Sequence, residues 1–506
     1  MRKYFFAFIF CVAALSCDGQ ITFQKTITGI SQVKKTNDGG FIACGYASTP
    51  IDTMGDIYLV KLDGNYDTMW TSFAGRQGND APLVLLQNAD STYFVGGSFC
   101  CSLSNYYDFI LYKFDKLGHM LWVRNYGTIY QEDCYDMIAD SSGGVLMAGM
   151  TRSSRGYVIK IDSAGNILWS RSFYYGAMGS IHGIKRTFDN NYILFGSNSG
   201  SGVENLFLIK ISQLGNIIWS KILDSPLHIW AWSIDTTNDG GFILGAYAEE
   251  ISSPDQDFLI IKTDSVGAVV WSKEYGGNST EALPQVIQTS DGGYLAAASS
   301  YSFWYNNGET DGYAIKLNAV GDTLWTRVFG DINPNGLRTP IEMNDKGFLF
   351  VCFMSTGTTL IKTDSMGISG CRENITATHI VDFPITEFNQ TPIIDSGGTF
   401  EIVPYHSSSY QGTFSYYCFY QSVNDNASEK PITLSPNPAT TEIRIQNSKG
   451  KIDGVEIYDV LGKKCLTPTL SKGEGVRVDV SSLASGMYFV KVRGGKEERT
   501  LKFFKL

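Results

Sequence analysis

The tract Asp56-Ile57-Tyr58-Leu59-Val60-Lys61-Leu62-Asp63 returns six more times in recognisable form, and this periodicity limits the possible folds more than any other feature of the chain. The lysines align at Lys61, Lys113, Lys160, Lys210, Lys262, Lys316 and Lys362, at steps of 52, 47, 50, 52, 54 and 46 residues. Nine residues after each of the first six stands a tryptophan: Trp70, Trp122, Trp169, Trp219, Trp271 and Trp325. The seventh copy has Cys371 there. Ahead of each lysine lies a second motif, clearest in Asn37-Asp38-Gly39-Gly40-Phe41-Ile42, Asn238-Asp239-Gly240-Gly241-Phe242-Ile243 and Ser290-Asp291-Gly292-Gly293-Tyr294-Leu295.

Within a copy, four apolar runs rich in Val, Ile, Tyr and Phe alternate with Asp-Gly-Gly and Asp-x-x-Gly tracts. Such runs read as strands, and Asp and Gly supply the side-chain acceptors and positive φ that hairpin turns need. Four strands per ~50-residue repeat is the pattern of a propeller blade. The fold class is therefore all-β: a seven-bladed β-propeller over residues 20–371, then a connection read as irregular over 372–430, then a small C-terminal β-sandwich over 431–506. Residues 21–29 resemble the segment after each tryptophan and stand just before the first Asp-Gly-Gly motif. They are predicted to supply the last strand of the seventh blade, removing an open sheet edge.

Charge divides the chain in two. Residues 431–506 carry thirteen Lys and Arg against eight Asp and Glu, or +5, so the remainder carries −15 of the net −10. An acidic body of this kind argues against nucleic acid as a partner. Arg2 and Lys3 precede an apolar run from Tyr4 to Leu15, too short for a bilayer that needs roughly twenty residues, so 1–19 reads as a secretory signal peptide. Acylation of Cys17 is the rival reading of that segment. No later stretch is predicted to span a membrane.

Residues that repeat in every copy are expected to be scaffold: the tryptophans as packing between blades, the lysines as ion pairs with the Asp two positions on, as in Lys61 and Asp63. Candidate binding residues lie where the repeat is broken. At one position before the Asp-Gly-Gly turn, three copies carry an acid, Asp80, Glu132 and Glu281, with Asp133 adjacent. Trp230, Trp232 and Trp304 stand outside the repeated tryptophan position and offer faces for sugars. Each also has a plainer reading, as solvated loop acids or as interblade packing. Cys371 and Cys418 flank the 372–430 segment, and a disulfide between them is predicted. HExxH, G-x-S-x-G, Walker and dinucleotide motifs are absent, and the five histidines are scattered, so no catalytic residue, metal or cofactor is assigned.

The C-terminal blocks Leu434-Ser435-Pro436-Asn437-Pro438-Ala439, Ile457-Tyr458-Asp459-Val460-Leu461-Gly462-Lys463 and Asp479 to Lys491, which includes Gly486 and Tyr488, resemble the type A C-terminal sorting domain of the Bacteroidetes type IX secretion system. The repeats resemble the Asp-Gly-Gly-Tyr propeller repeats of such passengers. This resemblance implies recognition of residues 431–506 by the type IX machinery and a secreted or cell-surface location, held at the outer membrane by attachment rather than by a spanning segment. Two functions follow as expectations. One is a surface binding or adhesion scaffold for glycan or protein ligands. The other is a polysaccharide hydrolase or lyase using two loop carboxylates ~5–9.5 Å apart.

Overall fold

The computed structural model describes residues 21–505 except 28, 48–55, 76–78, 101–106, 129, 152–154, 177, 201–202, 250–255, 304–309, 331–335, 355–356, 396–398, 403–405, 410–413, 422–431, 436–438, 448–450, 460–462, 467–474, 485 and 495–496. The segment read as a signal peptide lies outside the described residues. Those described form strands and turns without a helix, in two compact units, Met1–Ser422 and Val423–Leu506.

The first unit holds seven five-stranded sheets, and in each the first four strands follow the repeat. Their lead strands are Ile30–Lys35, Asn79–Gln87, Glu132–Ala139, Met178–Arg186, His228–Thr236, Glu281–Gln288 and Gly336–Glu342. Each lead strand adjoins that of the next sheet, and the seventh adjoins the first. The fourth strand of the seventh sheet is Ile21–Ile27, paired antiparallel to Gly357–Thr363 with Phe23 opposite Lys362. This is the arrangement that residues 21–29 predict.

Turn chemistry explains the motifs. In Asp38-Gly39-Gly40, Gly39 has φ +82°, and a Cβ on Gly40 would lie 2.3 Å from the Leu62 carbonyl oxygen and 2.7 Å from Lys61 Nζ. Glycine meets both demands here without strain, while the corresponding turns with Ser91, Asn190 and Lys346 hold a non-glycine residue at φ 62–65°. The Asp38 carboxylate accepts from Thr36 Oγ1 (2.5 Å) and the Gly40 amide (3.1 Å), and pairs with Lys61 at 2.9 Å. The same lysine–turn pairing recurs as Lys160–Asp140, Lys210–Asp189, Lys262–Asp239, Lys316–Asp291 and Lys362–Asp345, at 2.7–3.1 Å. The partner is therefore the acid of the preceding turn, not the Asp two residues on. Asp63 is occupied instead with the amides of Asn65 and Asp67, closing its own turn.

The repeated tryptophans join neighbouring sheets. Trp219 of the fourth sheet lies against Gly267 of the fifth, where φ is +76° and a Cβ would meet the indole at 2.8 Å. Trp70–Gly118, Trp169–Gly215, Trp271–Gly321 and Trp325–Gly367 repeat this contact. Between the seventh sheet and the first, the sizes are exchanged. Phe23 takes the register position of the tryptophan, and Tyr66, at φ 65°, takes that of the turn glycine. Their rings meet edge to face at 4.7 Å, and Tyr66 stacks on Phe41 at 4.9 Å. Seven apolar clusters lie between successive sheets, including the seventh and the first.

The segment read as irregular is an ordered belt. Glu373–Asn374, His379–Asp382, Thr386–Asn389, Ile393–Asp395, Thr399–Ile402, His406–Ser409 and Phe414–Gln421 add a fifth, antiparallel strand to the sixth, fifth, fourth, third, second, first and seventh sheets in that order. Each outer edge is thereby paired, the usual protection against edge-to-edge association. Gln24, in the strand that the belt's last strand covers, donates from Nε2 to the Cys371 carbonyl (2.5 Å) where the belt begins. Cys371 is disulfide-bonded, and Cys418 stands opposite Gln24. The Cys418 side chain lies outside the described residues.

In the second unit a three-stranded sheet (Ile432–Ser435, Glu442–Asn447, Gly475–Asp479) and a four-stranded sheet (Lys464–Leu466, Gly454–Asp459, Gly486–Gly494, Glu497–Lys505) enclose one core that includes Ile443, Ile445, Val476, Val455, Ile457, Val490 and Phe503. The predicted sandwich is this pair of sheets.

Candidate functional site

Every lead strand carries a β-bulge at the same place. The pairing skips Ser31, Leu83, Tyr135, His182 and Trp232 in the first five sheets, and the pairs Leu283-Pro284 and Thr339-Pro340 in the sixth and seventh. A bulge frees one residue from the ladder and re-aims its side chain, and bulges concentrate beside functional sites. The residue after it often meets the exposed amide of the neighbouring sheet: Gln32 Oε1 accepts from Leu85 N, Asp136 Oδ2 from Ile184 N, Ser233 Oγ from Val286 N and Gln285 Oε1 from Thr339 N, at 2.6–3.1 Å. Buried amides thus find partners and the bulges are locked.

Three successive bulges present aromatic rings. Tyr135 and His182 stack at 4.8 Å with planes 5° apart, and His182 meets Trp232 at 6.1 Å. All three are half-buried. His182 Nε2 lies 2.8 Å from Ser180 Oγ, and burial pulls its pKa down to about 4, so the ring is neutral at physiological pH. Trp230 is sandwiched between His228 (5.6 Å) and Tyr247 (5.1 Å), and His228 Nδ1 pairs with Glu204 at 3.0 Å. Of the residues singled out in the sequence, Trp232 joins this row and Trp230 stands beside it. Trp304 lies outside the described residues.

The acids occupy a different environment from the one expected. Glu132 and Glu281 are fully buried at the starts of their lead strands, not displayed on loops. Glu132 accepts from Thr128 Oγ1 (2.5 Å) and Thr128 N (3.1 Å); Glu281 accepts from Ser300 Oγ (2.6 Å) and Gly277 N (2.9 Å). Each holds the link into its own sheet. Burial, reinforced by the nearby Asp108 carboxylate, pushes Glu132 up to about 7. Asp133 is half-buried beside it, and the Asp80 side chain lies outside the described residues. Two further sheets separate those of Glu132 and Glu281, so these carboxylates are not brought together over one bond.

Two residues the sequence reading passed over lie three positions along from the bulges. Lys34 and Lys185 share one register position, opposite Ile42 and Ile193, in the first and fourth sheets, and Asp235 takes it in the fifth, opposite Ile243. The signal was present in the aligned copies: the position is aliphatic in Leu86, Ile138, Ile287 and Ile341 and charged in these three.

In the second unit, Asp459 Oδ1 accepts from Lys463 N (2.9 Å) and Asp479 Oδ1 from Ser481 N (2.8 Å), each closing a local turn. Tyr488 stacks on Phe503 at 5.6 Å and donates to the Ala484 carbonyl (2.9 Å), while Gly486 begins the strand paired to Lys505. Pro436, Asn437, Pro438 and Gly462 lie outside the described residues.

Residues 433–505 match the family described as the secretion system C-terminal sorting domain. The chain carries a type IX sorting tail. Such a tail implies interaction with the type IX secretion machinery and a secreted or cell-surface protein. No curated protein matches the chain. Among solved structures, that of Sqt1 from Chaetomium thermophilum is similar at a TM-score of 0.33 and 10% identity, covering 66% of this chain and 96% of that one. No helix among the described residues is long and apolar enough to cross a membrane.

Proposed function

We propose that this is a surface-displayed binding protein whose seven sheets are the blades of a closed seven-bladed β-propeller. The bulges then line a central passage, and the ligand, glycan or protein, is held there. The row Tyr135–His182–Trp232 is the observation that carries this reading: three ring systems on adjacent rigid strands, each freed from its ladder at one level. The six intersheet contacts of this kind, the Phe23–Tyr66 exchange among them, and the seven apolar clusters between successive sheets support closure of the ring. The sorting tail supports passage across the outer membrane and attachment there, as in the Bacteroidetes passengers that the motifs resemble. We assign Cys418 as the disulfide partner of Cys371, which makes the belt a covalent hoop around the blades.

The hydrolase reading asks for two carboxylates in one cleft, and the burial of Glu132 and Glu281 in separate sheets does not favour it. Glycan-array and whole-cell binding by the secreted protein tests the binding reading. Trp232→Ala and Tyr135→Ala are expected to lose at least tenfold in affinity while their melting temperatures stay near that of the parent. Undiminished binding by both variants would move the site elsewhere.

A further inference from the structure

The repeat lysines and the lysines of the lead strands sit in opposite circumstances. Lys61, Lys160, Lys210, Lys262, Lys316 and Lys362 each have a dedicated carboxylate within 3.1 Å. Among the described residues, Lys34 and Lys185 have no ion pair and no hydrogen-bond acceptor. Yet they lie amid acids: Asp136 and Asp235 act on both lysines electrostatically. Those acids are already occupied in part. Asp136 accepts from Met137 N at 2.8 Å and Ile184 N at 2.9 Å, and Asp235 from Gln288 N at 3.4 Å. The donors of the two ammonium groups are what remains uncommitted.

The surroundings of Lys34 are unusual in a second way. Solvent reaches its side chain, yet protein crowds it enough that burial, reinforced by the charge of Lys185, holds its pKa below the ordinary lysine value despite Asp136 and Asp235. Lys185 is also desolvated, but the same two aspartates hold it above that value. Lys34 and Lys185 stand on lead strands, the strands that adjoin one another from sheet to sheet around the ring, which places them at its inner passage. In a ring of seven sheets, the first and the fourth stand on opposite walls. His182 lies three residues along the strand from Lys185, about 10 Å away at ~3.3 Å per residue, and Tyr135 and Trp232 hold the same bulge position on the lead strands either side.

Resting on the binding reading above, we propose that the passage is specific for an acidic glycan, with a sugar carboxylate or sulfate held between Lys34 and Lys185 and sugar rings resting on Trp232, His182 and Tyr135. An anion there supplies the acceptor both ammonium groups lack and relieves their mutual repulsion. Charge-assisted hydrogen bonds of this kind are stronger and more discriminating than neutral ones. A neutral glycan could use the rings but would bring no charged acceptor to the donors of either ammonium group.

The test is titration calorimetry of the secreted protein with three probes: galacturonate oligomers, chondroitin sulfate oligosaccharides and neutral cello-oligosaccharides. Each is run at low and high NaCl, against the parent, Lys34→Gln, Lys185→Gln and Trp232→Ala. Acidic oligomers of one or both kinds are expected to bind, to lose about tenfold or more with either lysine variant, and to weaken with salt. Cello-oligosaccharides are expected to bind much more weakly and to be indifferent to both lysine substitutions. The carboxylate and sulfate arms identify which acid group is recognised. Neutral oligomers binding as tightly as acidic ones, or acidic binding unchanged in both lysine variants, overturns the specificity and leaves the glycan reading standing. Binding of none of the probes by the parent overturns the acidic-glycan assignment, while a protein ligand that Trp232→Ala abolishes would preserve the binding reading. The salt dependence of the parent alone decides the issue if a lysine variant fails to fold.

Discussion

Breaking the hoop is the perturbation with the best-defined cost. The belt begins just after Cys371, adds one strand to each of the seven sheets in turn, and reaches Cys418 beside the strand whose Gln24 bonds the Cys371 carbonyl. A bridge between these cysteines closes a loop of about 48 residues. The chain-entropy relation then assigns the cross-link ~4 kcal/mol, an upper figure because real bridges often deliver less. Cys371→Ser should leave the fold intact, since the belt strands keep their backbone ladders, and should lower the melting temperature by on the order of 5 °C. Unfolding of so large a unit is best followed as a rate. The expected result is faster unfolding in guanidinium for Cys371→Ser, Cys418→Ser and the double variant, all three alike, because each removes the same bond. Peptide mapping without reduction should recover a peptide joining residues 371 and 418. A bridge from Cys371 to any other cysteine, or a double variant unfolding at the parent rate, would refute the hoop.

Other residues separate scaffold from site. Trp219→Ala removes an intersheet ring against Gly267 and should cost about 3–5 kcal/mol by denaturant melting, whereas Trp232→Ala should cost about 1 kcal/mol or less. Tyr66→Gly relieves a positive φ but loses contacts to Phe23 and Phe41; a net loss of about 1–2 kcal/mol is expected, and a gain would show that the size exchange does not hold the seventh sheet to the first. Glu132 ionises near 7 in the folded protein and near 4.5 when unfolded, so its contribution is fully present below pH 4.5 and is lost as pH rises to about 7. Glu132→Gln should therefore melt like the parent at pH 4.5 and above it at pH 8. A pH-independent difference would contradict the buried protonated carboxyl.

The seven sheets were legible because their rules repeat: a turn of the Asp-Gly-Gly kind and one lysine in every copy, and a tryptophan in six of the seven, each tied to a local structural need. Even the break was legible, since Cys371 replaces a tryptophan just where a new strand, Ile21–Ile27, must enter. The belt was not. Its first six strands have two to four residues, and those from His379 to Asp395 are almost wholly exposed, so they have no buried face to impose a period of two. Their pairing is dictated by edges elsewhere in the chain. Glu132 and Glu281 misled because an acid before a turn resembles a solvated loop residue, and only the fold shows the amides and hydroxyls they satisfy. Trp232 was found as an odd aromatic, but its partners Tyr135 and His182 emerge only when the bulges align the copies.

Hydrogen–deuterium exchange of the secreted protein, with and without a ligand drawn from the binding screen, tests the central claim most directly. Binding at the bulges predicts slowed exchange in 132–139, 178–186 and 228–236, with Trp232→Ala abolishing the change. Protection confined to the belt or to the sorting tail, with these three lead strands unaffected, would contradict the account.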